Sequence, residues 1–406
     1  MMTVGFDEQK LLAPEQAIVA YFSRATLAPP RIEHVALDDA FDRVLAEDVL
    51  ADDDYPSTPR SAMDGVAVAS ASIPGRLRLA GEILMGIAWE RPLEYGTALR
   101  IPTGGVVPAG ADAVVPIEDL EFDGDTVAIA EPVAAGDNVT PVAKDMRKGE
   151  LVLRAGRRIG GPELGVLATL GIVDIPVFRR PAIAVISSGD ELVPPSAKPR
   201  PGQIRDSNRY AIAGALHALG AAPKHYPTVA DTPGALEAAI ARALEECDGA
   251  MLTGGSSVGE RDLTPRAVAT LGEPGVIVHG LRVKPGKPTV LAAVGGKPVI
   301  GLPGNPTSAL MILEAVAAPI VAALTGAAPL DRSTEAILRE PVSGRSGWTW
   351  YVPVALQHED GAVLAHPLPL RSSMVSLTAR ADGYVIVGEQ EGGRAAGGRV
   401  RVYRFL

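Results

Sequence analysis

Cysteine is almost absent: Cys247 is the one thiol in 406 residues, which rules out an intramolecular disulfide and any cysteine-ligated metal site. A lone thiol of this kind is expected to be a small, semi-buried residue late in a helix. Histidines are few, and those at 217, 225, 279, 358 and 366 show no ligand spacing. With neither HExxH nor CxxC, zinc chemistry has no basis. Net positive charge is missing as well. The 38 basic residues are outnumbered by 48 acidic ones, a net charge of −10, so no nucleic acid and no membrane is expected as a partner. Aromatics make up only 4% of the chain, leaving its 47% hydrophobic content to aliphatic residues. The longest apolar run, Ser308 to Leu324, is interrupted by Glu314 and Pro319 and reads as a buried helix. The first residues place acids before apolar residues and lack the basic start of a signal peptide, which makes the cytoplasm the expected location.

Turn formers are abundant. With 44 Gly and 35 Pro the chain changes direction often, and its length suits two to four domains. Residues Pro14 to Leu45 read as one helix (EQAIVAYFSRATL), a loop, and a second helix around ALDDAFDRVLAEDVLA. From Tyr55 to about Val142 come short alternating runs broken by Gly and Pro, the pattern of a small β domain. RIGGPELGVLATLGI then reads as a helix, so helical sequence flanks an inserted β unit. After Pro181, strand-like runs (AIAVISS, KHYPTVA, GAMLTGG, GVIVHGL, KPVIGLP) alternate with helices, which predicts an α/β domain with a parallel-dominated sheet. From about Pro329 the pattern returns to alternating β segments.

Ligands of such sheets bind beyond the C-terminal strand ends, and three loops fall there. In AIAVISSGDEL, Gly189 turns the chain so that Asp190 and Glu191 face the crevice. In GAMLTGGSSVGERD, Gly254 and Gly255 let backbone N–H groups approach an oxyanion, Ser256 and Ser257 add hydroxyls, and Glu260 and Asp262 follow. In VIGLPGNPTSALMI, Asn305 is placed to cap a helix with Pro306 at its first position. Nearby, VKPGKPTV holds Lys284 and Lys287 in a Pro-Gly frame that suits a phosphate or a tetrahedral dianion. The carboxylates across the crevice, Asp231 among them, would repel that anion unless a divalent cation stood between, and hard oxygen ligands favour Mg²⁺.

Taken in order, SAMDGVAV, RIPTGGVVPAGADAVVPIED, RIGGPELGVLATLGI, SSGDELV, GQIRDSNRY, GGSSVGERD, VKPGKP and GLPGNP closely resemble the MoeA family of molybdopterin molybdenumtransferases, which includes the E domain of gephyrin. The resemblance implies a multidomain α/β plus β fold. Its parts are a discontinuous helical domain (residues 1–52 and 146–179) with an inserted β domain (53–145), a MogA-like α/β molybdopterin-binding domain (180–327) and a C-terminal β-barrel domain (328–406). It implies a cytoplasmic homodimer that takes adenylated molybdopterin and molybdate, inserts molybdenum, and releases AMP with Mg²⁺. A MogA-like adenylyltransferase and molybdoenzyme chaperones are implied as further partners. Carried over by motif, Asp64, Thr103, Asp145, Glu191, Asp231 and Asp262 are the implied catalytic residues, the first two reaching the site from the partner subunit. Glu191, Asp231 and Asp262 are the implied Mg²⁺ ligands. Gly254, Gly255, Ser256, Ser257, Lys284, Lys287, Pro303, Pro306 and Ser372 are the implied substrate- and molybdate-binding residues.

The chain also departs from the family. NVTPVAKD (Asn138 to Asp145) stands where an arginine-rich run is common, YVPVAL (Tyr351 to Leu356) where an arginine is usual, and Arg371-Ser372 where the family has Gly-Ser. The loss of those arginines implies weaker pterin or molybdate binding, compensation by Lys144, Arg147 or Arg371, or a paralogue. Two other readings stay open at this point: a non-catalytic paralogue serving as a dimeric binding scaffold, and a nucleotide-cleaving enzyme that shares only the MogA-like domain.

Overall fold

The computed structural model describes residues 10–254, 263–329, 331–369 and 371–405. The chain divides into two compact units, one comprising Met1–Ala46, Gly156–Leu164 and Val173–Leu406, the other Glu47–Ala155 and Gly165–Ile172.

The second unit is built on a six-stranded sheet, in spatial order Ala113–Pro116, Gly65–Val68, Thr97–Ile101, Gly75–Glu82, Thr126–Ile129 and Leu120–Asp123. Gly or Pro bounds several of these strands: Pro102, Pro116 and Gly124 end three of them, and Gly65 and Gly75 open two others. Val66, Val68, Leu77, Ala98, Val115 and Val127 form one buried face, and Ala67, Leu99, Ile101 and Val114 the other. This is the small β unit expected from the alternation.

In the first unit, the helix Pro14–Arg24 starts with Pro at its first position and buries Ala17 and Tyr21. The second helix expected around Leu37–Leu45 does not form. Ile32–Ala36 is instead a strand paired antiparallel with Asp174–Phe178, Leu37–Asp39 is a single 3-10 turn, and Val44–Leu45 pairs on the other side of Asp174–Phe178. Helical spacing would bury Phe41, yet it is 64% exposed. The partner strand lies more than a hundred residues away, a signal that local periodicity cannot carry. The segments flanking the inserted β unit thus mix helix and strand: Pro14–Arg24 and Gly161–Thr169 are the helices expected from EQAIVAYFSRATL and RIGGPELGVLATLGI, and only the Leu37–Leu45 segment departs.

The central sheet of this unit has the order Ala222–His225, Ala182–Ser187, Gly249–Thr253, Lys297–Leu302, Val290–Val294 and Pro274–His279. The first four run parallel; the last two add antiparallel strands, so the sheet is mixed but parallel-dominated. Both faces are covered. Helix Pro233–Glu246 packs Leu236, Ile240 and Ala243 on one, and a long helical run from Pro306 buries Met311, Ile312, Val316 and Ile320 on the other. That run, Pro306–Thr325, is long and apolar enough to cross a membrane, but 72% of its apolar window is buried within the protein, and it contains a π turn at Leu313–Ala317. Cys247 is buried directly after the helix Pro233–Glu246, as its lone occurrence suggested.

The C-terminal segment closes into a five-stranded barrel. Thr349–Glu359 pairs with Ala362–Pro367 and with Gly383–Val387, while Ser333–Leu338 and Arg399–Arg404 complete the ring. Each of the five strands has a neighbour on both sides, so the ring has no edge strand. Onto the start of Thr349–Glu359 adds the two-residue strand Val283–Lys284, which joins the α/β layer to the barrel.

Candidate active site

A cavity of about 1500 Å³ opens in the first unit where the loops at the C-terminal strand ends meet the barrel. Seven of the implied site residues line it, Glu191, Gly254, Lys284, Lys287, Pro303, Pro306 and Ser372, together with Asn305 and Arg371, also named from the sequence. They come from five separate stretches of chain, which only the sheet's topology brings together. Gly255, Ser256, Ser257 and Asp262 lie outside the described residues, as does Glu260.

Each wall has a local cause. Gly254 ends the strand Gly249–Thr253 with φ +90°, and a Cβ there would stand 1.9 Å from the Ser188 carbonyl oxygen. Only glycine lets the two strand-end loops approach this closely. In VKPGKP, Gly286 has φ +114° and a Cβ would meet Ile312 at 2.3 Å, so the lysine loop is seated on the long helix. Asn305 stands at the helix N-cap but makes no side-chain cap. Its Nδ2 donates instead to Ser372 Oγ at 3.3 Å, and the Thr307 N–H donates to the Ser372 carbonyl at 3.2 Å. The expected cap is thereby replaced by a tie between the GLPGN loop and the Ser372 segment.

Asn208 is a residue that sequence reasoning passed over. Buried at the start of the helix Asn208–Ala218, its Nδ2 donates to Thr253 Oγ1 at 2.7 Å and to the Gly304 carbonyl at 2.8 Å. It therefore pins the end of one central strand to the loop leaving the next. The motif GQIRDSNRY contained it without assigning it a task. Arg205, Arg345, Arg371, Trp348 and Trp350 also line the cavity. Of these only Arg371 had been considered, as a compensating cation; Lys144 and Arg147 belong to the other unit. Cations thus dominate the charged lining, with Glu191 and Asp206 the acids among them.

Asp231 does not line the cavity, but its carboxylate accepts from the hydroxyl of Ser188, which does, and its N–H donates to Asp190 Oδ1 at 3.4 Å. Glu191 and Asp231 therefore present hard oxygens from neighbouring loops. Among the described residues no three His, Cys, Asp or Glu side chains gather into a metal-binding group. The third expected carboxylate, Asp262, is outside them. The donor chemistry present suits Mg²⁺, with two of its three expected ligands described.

Asp64, Thr103 and Asp145 belong to the second unit. There Asp64 accepts from the Thr103 N–H at 2.7 Å and from its Oγ1 at 3.0 Å, so two positions chosen from separate motifs form one hydrogen-bonded pair. Those two donors, the backbone one foremost, hold the Asp64 carboxyl below its ordinary pKa. Asp145 is exposed, with its N–H donating to the Tyr55 carbonyl at 3.0 Å.

With this geometry in hand, the comparison with known proteins is direct. The family model for the MoeA N-terminal region (domain I and II) matches residues 12–171, that for a probable molybdopterin binding domain matches 184–323, and that for the MoeA C-terminal region (domain IV) matches 335–405. The chain belongs to the MoeA family. A molybdopterin molybdenumtransferase of Bacillus subtilis is 33% identical over 383 residues, covering 91% of this chain and 89% of that one. Molybdopterin molybdenumtransferase 2 of Mycobacterium tuberculosis is 32% identical over 400 residues, covering 96% and 98%. Among solved structures, a molybdopterin biosynthesis MoeA protein from Pyrococcus horikosii matches with a TM-score of 0.82 at 33% identity, over 98% of this chain and all of that one. Another from Pyrococcus horikoshii OT3 matches with a TM-score of 0.85 at 25% identity, covering 97% and 100%.

Proposed function

We propose that this chain is a molybdopterin molybdenumtransferase of the last stage of molybdenum cofactor biosynthesis, taking adenylated molybdopterin and molybdate and releasing AMP. The observation that carries this reading is the cavity at the C-terminal strand ends. It is large enough for a bulky nucleotide conjugate, and Lys284, Lys287, Arg205, Arg345 and Arg371 surround it in a protein whose net charge is −10. A local excess of cations in an acidic protein is a device for an anionic ligand. Cleaving a phosphoanhydride needs charge neutralisation and positioning more than a nucleophilic side chain.

In this reading Lys284 and Lys287 hold oxyanion groups, Gly254 opens a backbone approach, and Pro303 and Pro306 keep the GLPGN loop rigid. Ser372, tied to Asn305, orders the opposite wall. Glu191, Asp231 and Asp262 would hold Mg²⁺, which when bound offsets phosphate charge. Asp64 and Thr103 act as one hydrogen-bonded pair from the partner subunit of a homodimer, and Asp145, from the same unit, is a further catalytic acid. The division into a discontinuous N-terminal domain, an inserted β domain, a MogA-like domain and a barrel domain, and a cytoplasmic setting, belong to the same proposal.

Single-turnover AMP release from the purified chain, given adenylated molybdopterin, Mg²⁺ and molybdate, tests it. Release that depends on molybdate and falls by about 100-fold or more in Asp262→Ala is expected. A folded protein that binds the conjugate without releasing AMP would leave the scaffold reading as the better account.

A further inference from the structure

One cavity lysine, Lys284, is fixed in an unusual way. Lys284 is exposed, and a long lysine side chain loses rotamer freedom when held in one place. Among the described residues no carboxylate lies within ion-pair distance of it. Its ammonium instead stands 4.2 Å from the centroid of the Trp350 ring. The two residues are register partners in the parallel ladder between Val283–Lys284 and Thr349–Glu359, so their side chains leave neighbouring backbones on one face. Both backbones are anchored. Val283 and Thr349, the adjoining register pair, are buried, the Thr349 N–H donates to the Arg282 carbonyl at 3.0 Å, and Trp350 is paired on its other side with Val387.

A second aromatic, Trp348, also stands beside cavity cations. Trp348 has the Lys287 ammonium 5.6 Å and the Arg345 guanidinium 5.4 Å from its ring centroid, and its N–H closes a turn on the Arg345 carbonyl at 3.0 Å. All five residues line the cavity. A carboxylate partner would fix a cation and neutralise it. An aromatic face attracts the cation through its quadrupole and carries no net charge, so the positive charge stays available to a third group.

Resting on the transferase reading for the identity of the ligand, we propose that Trp350 is a positioning residue for oxyanion binding: its ring holds Lys284 in place without spending its charge. The shared chemistry is a dianionic tetrahedral oxyanion, supplied either by the phosphate of a nucleotide or by molybdate. Two of the chain's three tryptophans line the cavity and the third, Trp89, belongs to the other unit, so intrinsic fluorescence reports on the site.

The test is titration of the full chain with AMP and, separately, with molybdate, each to saturation, followed by calorimetry and tryptophan fluorescence. The variants are Trp350→Leu, Trp350→Phe, Lys284→Met and the Lys284→Met/Trp350→Leu double. Trp350→Leu should weaken at least one anion about 2–5-fold, Trp350→Phe should restore most of the loss, and in the Lys284→Met background Trp350→Leu should cost nothing further. The arm that responds identifies which oxyanion Lys284 holds. Wild-type affinity in Trp350→Leu for both anions overturns the assignment, as does a loss that Trp350→Phe shares or that persists without Lys284. Wild-type protein that shows this binding pattern yet transfers no molybdenum would sink the transferase reading and keep the assignment. An active transferase whose Trp350→Leu variant binds both anions normally would do the reverse.

Discussion

Asn208 offers the sharpest test of how the cavity is held together. Its Nδ2 donates to the buried Thr253 Oγ1 and to the Gly304 carbonyl. Removing the amide in Asn208→Ala leaves the Thr253 hydroxyl, on a residue only 3% exposed, without that partner, at a cost of about 1–3 kcal/mol. The Gly304 carbonyl sits on an exposed residue and recovers water, adding about 0.5–1 kcal/mol. At roughly 2–4 °C per kcal/mol for a unit of this size, the unfolding midpoint should fall by roughly 3–16 °C. Asn208→Asp separates donor loss from shape loss. The carboxylate oxygen replacing Nδ2 would face the Gly304 carbonyl, acceptor against acceptor, so near neutral pH this variant should be less stable than Asn208→Ala. Repulsion raises the folded-state pKa of the new acid above its unfolded value of about 3.9. Its protonated form donates, so the penalty is least below that value and grows as pH rises through the folded pKa. Calorimetric scans of the three proteins between about pH 4 and 7.5 decide it. An Asn208→Asp protein as stable as wild type, or one whose deficit does not change with pH, refutes the tie between the two strand-end loops.

The remaining predictions use other parts of the two units. Gly254→Ala places a methyl 1.9 Å from the Ser188 carbonyl at φ +90° and should destabilise by more than about 2 kcal/mol, whereas Gly214→Ala, in a helix with open space around it, should stabilise by about 0.5–1 kcal/mol. Denaturant midpoints of the pair measure the contrast; equal effects would contradict the close approach. In the second unit, Thr103→Ala removes one of the two donors to Asp64 and should raise its carboxyl pKa part of the way to normal, read by carboxyl-carbon NMR. Because the folded pKa of Asp64 is depressed, its contribution to stability is complete above the unfolded value and is lost as pH falls through the folded one. Thr103→Ala should shrink that acid-side loss, and an unchanged Asp64 titration would contradict the pairing.

The parts of the fold legible in the sequence were those with local signatures. Short apolar strands separated by amphipathic helices identified the α/β layer, and alternation with frequent Gly and Pro identified both β regions. The strand Val290–Val294 was missed because Pro288 and Thr289 before it read as loop, and it pairs antiparallel inside an otherwise parallel pattern. The Leu37–Leu45 segment was misread because its apolar spacing satisfies a helix, while its actual partner strand begins at Asp174. In the site, charged and glycine residues in named loops were found because each carries chemistry on its own. Asn208 and the tryptophans were not. Asn208 carries no reactive group of its own, and the placing of Trp350 against Lys284 depends on a two-residue strand joining two layers, which no local pattern announces.

The central claim is that the cation-lined cavity of the first unit is where the anionic substrate binds. A crystal structure of the chain soaked with AMP and molybdate tests it most directly, since molybdenum can be located by its anomalous scattering. The account predicts phosphate or molybdate density within hydrogen-bond reach of Lys284 or Lys287, facing Gly254 and the GLPGN loop. Well-occupied ligand elsewhere, with this cavity holding only solvent, would contradict it.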